Sequence, residues 1–185
     1  MTWSLTAKRL RLPLGFILSF AYLAFARPTP TTLVVGGAIA LLGVAVRAWA
    51  SGHIMKNDRL AVTGPYAHTR NPLYFGSFLI AVGFALAGHW ALVIGVVIFF
   101  LLIYLPTMER EKANIRSRFP GAYELFEANV PAFVPRLTAW KSQELSTGNS
   151  DRFSTALYMK HGEWKALAGY IGAMLWLLLR TSGRV

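Results

Sequence analysis

From Asn71 to Met108 the chain runs for 38 residues without a single Asp, Glu, Lys or Arg. One bilayer-spanning helix needs about 20 apolar residues. A run of roughly twice that length is read as two helices joined by a tight turn. Gly88-His89 supplies the turn, which leaves residues 72–87 and 90–106 as the two arms. The composition agrees, with 55% hydrophobic and only 15% charged residues. A soluble domain carries about a quarter charged residues.

Three further apolar stretches extend the pattern. Residues 12–26 lie between Lys8, Arg9, Arg11 and Arg27; residues 31–50 are apolar apart from Arg47; residues 164–179 are apolar apart from Lys165. The predicted fold class is therefore all-α: a polytopic membrane helix bundle of four to five transmembrane helices, in one membrane domain over residues 1–185. Several of these spans are short and call for interfacial flanks or local bilayer thinning. The first has the basic start of a signal peptide. Ala24-Phe25-Ala26 before Arg27-Pro28 is a poor cleavage site, however, and it reads as a retained helix. Gly36, Gly37, Ala40, Gly43, Gly83 and Ala87 permit close helix approach, a spacing also common by chance in apolar helices.

The net charge of +11 arises from 8 acids against 19 bases. Of those 19 bases, 14 flank spans on one side: Lys8, Arg9, Arg11, Lys56, Arg59, Arg70, Arg110, Lys112, Arg116, Arg118, Arg136, Lys141, Arg152 and Lys160. The positive-inside rule then puts the N-terminus and both large polar segments in the cytoplasm. The excess charge is thereby a topology signal, and nucleic acid is not an expected partner. With no cysteine, a disulfide scaffold, a thiolate metal site and a Cys nucleophile are excluded. The histidines lack metal-ligand spacing, so no metal site is expected.

The two polar segments, residues 51–74 and 107–136, fall on the same side. The second has a helical rhythm at Ile115, Phe119, Tyr123 and Phe126, as an amphipathic stretch on the membrane surface would. In the first, Gly64-Pro65-Tyr66 forms a turn, and Arg70, Asn71, Pro72 and Tyr74 stand at the mouth of a helix. Arg70 reads equally as a clamp for a carboxylate or phosphate and as an anchor to lipid headgroups. Glu109 and Glu111 read as acceptors for a ligand amine or ribose hydroxyl, or as ordinary partners of Arg110, Lys112 and Arg116. His53 reads as a ligand contact or an interfacial histidine. Residue spacing alone goes no further than a polar site at the cytoplasmic face.

Taken as a composite, residues 51–136 resemble the isoprenylcysteine carboxyl methyltransferase and phospholipid methyltransferase family. The matching pieces are Gly52-His53, Gly64-Pro65-Tyr66 and Arg70-Asn71-Pro72-Leu73-Tyr74-Phe75-Gly76, then Glu111 to Ile115, Phe119 to Tyr123, and Val130-Pro131 through Pro135-Arg136. They occur in the family's order around a helical hairpin. Three positions depart from it: Asn71 replaces a histidine, Lys112 a second glutamate, and Pro120 intrudes before Gly121. Asn71 retains hydrogen bonding but cannot act as a base near neutral pH.

The resemblance implies methyl transfer from S-adenosylmethionine to a lipid-like or prenylated acceptor, either a prenylcysteine-type carboxylate or a phospholipid amine, in a bacterial inner membrane. It implies catalytic roles for Arg70, Asn71 and Glu111. His53, Gly64, Pro65, Tyr66, Pro72, Tyr74 and Glu109, together with Arg70 and Glu111, would form the cofactor pocket. Two alternatives stand beside it: an NADPH-dependent sterol or enone reductase, and an inactive lipid-binding scaffold.

Overall fold

The computed structural model describes residues 3–54, 59–142, 145 and 152–183. Lys56, Asp58, Arg184 and, apart from Ser142 and Leu145, the predicted loop 142–151 lie outside the described residues. Helix α1 covers Trp3–Phe25, α2 Pro30–Ser51, α3 Pro72–Gly88, α4 Trp90–Phe99, α5 Leu105–Arg118, α6 Ala122–Asn129, α7 Thr155–His161 and α8 Trp164–Thr181. No strand occurs among the described residues. The chain is an all-α membrane bundle. Pro30–Ser51 and the continuous helix Trp90–Arg118 are long and apolar enough to cross a bilayer, beside the shorter apolar helices Leu12–Phe25 and Pro72–Gly88.

Helix α2 starts where its local chemistry dictates. The Thr29 side chain accepts from the Thr32 amide, Thr32 returns the bond to the Thr29 amide, and Pro30 occupies the first turn. Antiparallel to α2 runs α3, and the two approach until only glycine fits between them. A Cβ on Gly36 would stand 2.4 Å from the Gly83 carbonyl oxygen, and one on Gly43 2.6 Å from that of Gly76. Gly36 therefore faces Gly83, and Gly43 faces Gly76, with the same seven-residue step on both helices. Lipid tails are as apolar as leucine, so close backbone approach is a principal source of helix cohesion here.

The uncharged run folds into α3 and α4, joined at His89, whose Nδ1 accepts from the Ala91 amide at 3.2 Å. The fourth helix differs from the sequence expectation in one respect. It does not stop at Pro106 but continues through a π turn at Phe100–Tyr104 into α5. Residues 107–118 thus continue the fourth helix without a break. Pro106 is tolerated because the bonds it disrupts are made good elsewhere. In the π turn the Leu105 amide donates to the Phe100 carbonyl. The Leu102 carbonyl, four residues before the proline, accepts the Trp3 indole N–H at 3.2 Å.

Helix α8 runs antiparallel to α2 along its whole height. At the polar end Glu163 holds Arg47 through two bonds, Nε–Oε2 at 3.0 Å and Nη2–Oε1 at 2.7 Å. Midway the Tyr170 hydroxyl donates to the Gly37 carbonyl. At the far end Leu177 is buried with Leu33, Ala26 and Ala87, and Arg180 donates to the Leu23 carbonyl at 2.7 Å. Over the polar ends of α2 and α3 sits a small cap, in which Tyr66, Tyr123, Phe126, Val130 and Val62 pack with Ala50.

Candidate active site

Between this cap and α5 lies a cavity of about 410 Å³, within the usual range of small-molecule sites. The turn that carries Tyr66 explains its own sequence. Gly64 has φ +58°, a left-handed conformation that other residues rarely adopt, and a Cβ there would meet the His53 ring at 2.6 Å. Pro65 fixes the next φ, and its carbonyl accepts from the amides of His68 and Thr69. The result aims Tyr66 into the cap core. Its hydroxyl is buried, lacks a hydrogen-bond partner and belongs to a residue lining the cavity. Burial pushes the phenol well above its ordinary pKa; the Glu163 carboxylate adds to this and Arg47 opposes it. Tyr66 therefore stays a neutral donor.

Arg70 is held from behind by the segment after α6. Its amide donates to the Pro131 carbonyl at 2.9 Å, and the Asn71 side-chain amide donates to the Ala132 carbonyl at 2.8 Å. The Arg70 guanidinium donates from Nη1 to Glu127 at 2.6 Å and to the Tyr123 hydroxyl at 3.2 Å, while its buried Nε has no partner. The carboxylate beside Arg70 is thus Glu127 of α6, not Glu109 or Glu111. Glu127 also pairs with Lys112 at 2.6 Å and with Arg116. Sequence reasoning missed Glu127, although the shortage of acids and its place one turn beyond Tyr123 on α6 were available signals.

The structure brings Tyr66, Arg70, Asn71 and Glu111 to the cavity wall, with Lys112, Phe119, Tyr123 and Phe126. Glu111 accepts from the Tyr74 hydroxyl at 2.9 Å, which links α5 to α3. Glu109 is not brought in: its side chain is 72% exposed and 4.0 Å from Lys112. His53 stands behind Gly64, its Nδ1 2.9 Å from the Trp49 carbonyl oxygen and its ring against Trp49 and Phe153. Gly64, Pro65, Pro72 and Tyr74 support the wall from outside it. Among the described residues no three His, Asp or Glu side chains form a group able to hold a metal ion.

The Lys112 hydrogen bond, ahead of the Arg70 contacts, lowers the Glu127 pKa to about 2 against the opposing effect of burial. An unfolded glutamate titrates near about 4.3. Because the folded value is depressed, this stabilisation is complete above the unfolded value and is lost as pH falls toward about 2. Thermal unfolding in detergent should therefore show a stability loss between about pH 4.5 and 2 that is much reduced in Glu127→Gln. Parallel pH profiles of the two proteins would count against the network.

The phospholipid methyltransferase family matches residues 31–120. Over 128 residues, 68% of this chain, the sequence is 29% identical to the cobalt-zinc-cadmium resistance protein CzcN of Cupriavidus metallidurans, covering 59% of that protein. Over 112 residues, 57% of this chain, it is 31% identical to the nickel-cobalt-cadmium resistance protein NccN of Alcaligenes xylosoxydans xylosoxydans, covering 52% of it. The chain therefore spans between half and three-fifths of the length of these relatives. No solved structure matches. The family match includes Tyr66, Arg70, Asn71 and Glu111 and ends before Tyr123, Phe126 and Glu127.

Proposed function

We propose, from the match of residues 31–120 to the phospholipid methyltransferase family, that this membrane protein transfers a methyl group from S-adenosylmethionine to an amphiphilic acceptor at the cytoplasmic face. The observation that carries the proposal is a cavity at the polar ends of the helices, lined by two residues with buried unpartnered donors, Tyr66 through its hydroxyl and Arg70 through Nε. Unpaired buried donors are costly unless a ligand uses them.

The donor set suits S-adenosylmethionine. Arg70 offers a guanidinium to the methionine carboxylate, and Glu111 an acceptor to the amino group or ribose hydroxyls. Phe119, Tyr123 and Phe126 are apolar and aromatic walls for the adenine. Tyr66, whose hydroxyl lacks a partner, would offer the cationic group a neutral ring and donor. When bound, the group supplies an electrophilic methyl on a sulfonium. The residues of the chain contribute alignment and exclusion of water, the main demands of an in-line displacement. Asn71, its amide committed to Ala132, positions the Arg70 edge of the cavity and leaves its oxygen as an acceptor. The acceptor substrate is a prenylcysteine-type carboxylate or a phospholipid amine arriving from the bilayer.

Membranes containing the protein, incubated with a methyl-labelled donor, should transfer label into an extractable lipid or prenyl fraction. S-adenosylhomocysteine should raise the unfolding temperature of the purified protein, and NADPH should not. Absence of both label transfer and stabilisation by S-adenosylhomocysteine would overturn the proposal.

A further inference from the structure

The segment after α6, Val130-Pro131-Ala132-Phe133-Val134-Pro135-Arg136-Leu137, faces two ways. One side is backbone. Besides the bonds to Arg70 and Asn71, the carbonyls of Ala132 and Phe133 accept from the Thr69 hydroxyl, and the Arg136 amide donates to the His68 carbonyl at 2.9 Å. The other side is apolar. Phe133 sets its ring against Phe75, Phe78 and Phe100, with centroids 5.5, 5.6 and 4.9 Å away.

Those three aromatic residues belong to the uncharged run, and their position gives the depth of the strap. Phe78 lies six residues into α3 from Pro72, about 9 Å along the helix at 1.5 Å per residue. An interfacial segment buries its apolar face about 5–10 Å into the headgroup–acyl boundary. Beside Phe133, Val134 is 70% exposed and Leu137 98% exposed. With Phe133 at this depth, the exposed Val134 and Leu137 add to one apolar face, the kind of exposed patch that marks a membrane or partner surface. The fourth helix, against whose Phe100 the Phe133 ring packs, exposes Leu101, Leu102 and Leu105 as well. Arg136, anchored on the Asn129 carbonyl at 2.8 Å, adds a cation at headgroup level.

We propose that residues 130–137 form a membrane-dipping strap: Phe133 and Val134 enter the leaflet, Leu137 lies at its boundary, and the occupant of the exposed face is lipid. The strap then fastens the Arg70–Asn71 edge of the cavity to the bilayer surface through one short piece of backbone.

The chain contains no cysteine, so single spin labels can be introduced without a background. Val134→Cys and Leu137→Cys, labelled and reconstituted in vesicles of phosphatidylcholine and phosphatidylglycerol, are compared with Leu101→Cys on the fourth helix and exposed Lys141→Cys. None of these positions lines the cavity. Dissolved oxygen should broaden the Val134 label more than a water-soluble nickel chelate does, as at Leu101, with Leu137 between Val134 and Lys141. A Val134 label reached mainly by the nickel chelate places the strap in water and overturns the proposal. A label shielded from both reagents, as under a second copy of the chain or another protein, overturns it equally.

Discussion

Arg70→Ala should bind S-adenosylhomocysteine at least tenfold more weakly than the parent protein. A hydrogen bond to a charged group contributes about 1.5–3 kcal/mol, which corresponds to roughly ten- to a hundredfold in affinity. The variant should also fold. Glu127 keeps Lys112 at 2.6 Å and Arg116 when Arg70 is removed, so no buried carboxylate is stranded. Calorimetric titration therefore reads ligand affinity and not collapse. Arg70→Lys should recover only part of the loss, since an ammonium keeps the charge but not the fork that grips a carboxylate. Unchanged affinity in a folded Arg70→Ala protein would remove Arg70 from the cofactor site.

Gly83→Leu should have the larger effect on the fold itself. A Cβ at position 83 would stand 2.4 Å from the Ala40 amide nitrogen and 2.5 Å from the Gly36 carbonyl oxygen. Both are backbone atoms, which cannot rotate aside as a side chain can. Overpacking in a close-packed interior costs about 1–3 kcal/mol and occasionally more; with backbone on both sides, the upper end or beyond is expected. The displaced α3 would also carry Asn71 and Arg70 at its mouth out of register with Glu111. Gly95→Ala supplies the contrast, because a Cβ there meets nothing within 4 Å, and it should leave unfolding unchanged or slightly improved. Thermal unfolding and monodispersity in detergent distinguish the two. A Gly83→Leu protein as stable as the parent would show that the contact between α2 and α3 is not what holds them together.

The hairpin was legible because a single property, absence of charge, persists for longer than one span requires. Four of the residues now on the cavity wall were legible as well: Tyr66, Arg70, Asn71 and Glu111 lie at the two ends of that hairpin. What stayed hidden depends on chain reversal. Glu127 lies 57 residues from Arg70, in a segment whose charges all had nearer partners on offer. Arg47 interrupts the apolar stretch 31–50 and Glu163 immediately precedes the stretch 164–179, but nothing in their separation of 116 residues joins them. The glycines of α2 and α3 were visible too. Their pairing became meaningful only once the antiparallel register set Gly36 against Gly83 and Gly43 against Gly76.

The π turn at Phe100–Tyr104 gives the fourth helix two angular settings. An ordinary helix advances about 100° per residue, so one extra residue in a single turn re-aims everything beyond it by about that angle. Before the turn, Ile94 and Ile98 face outward; after it, Glu111, Lys112 and Ile115 line the cavity. The turn works as an indexing joint. Under the proposed function, the half before the turn faces lipid and the half after it faces the ligand, each set by its own side of the joint.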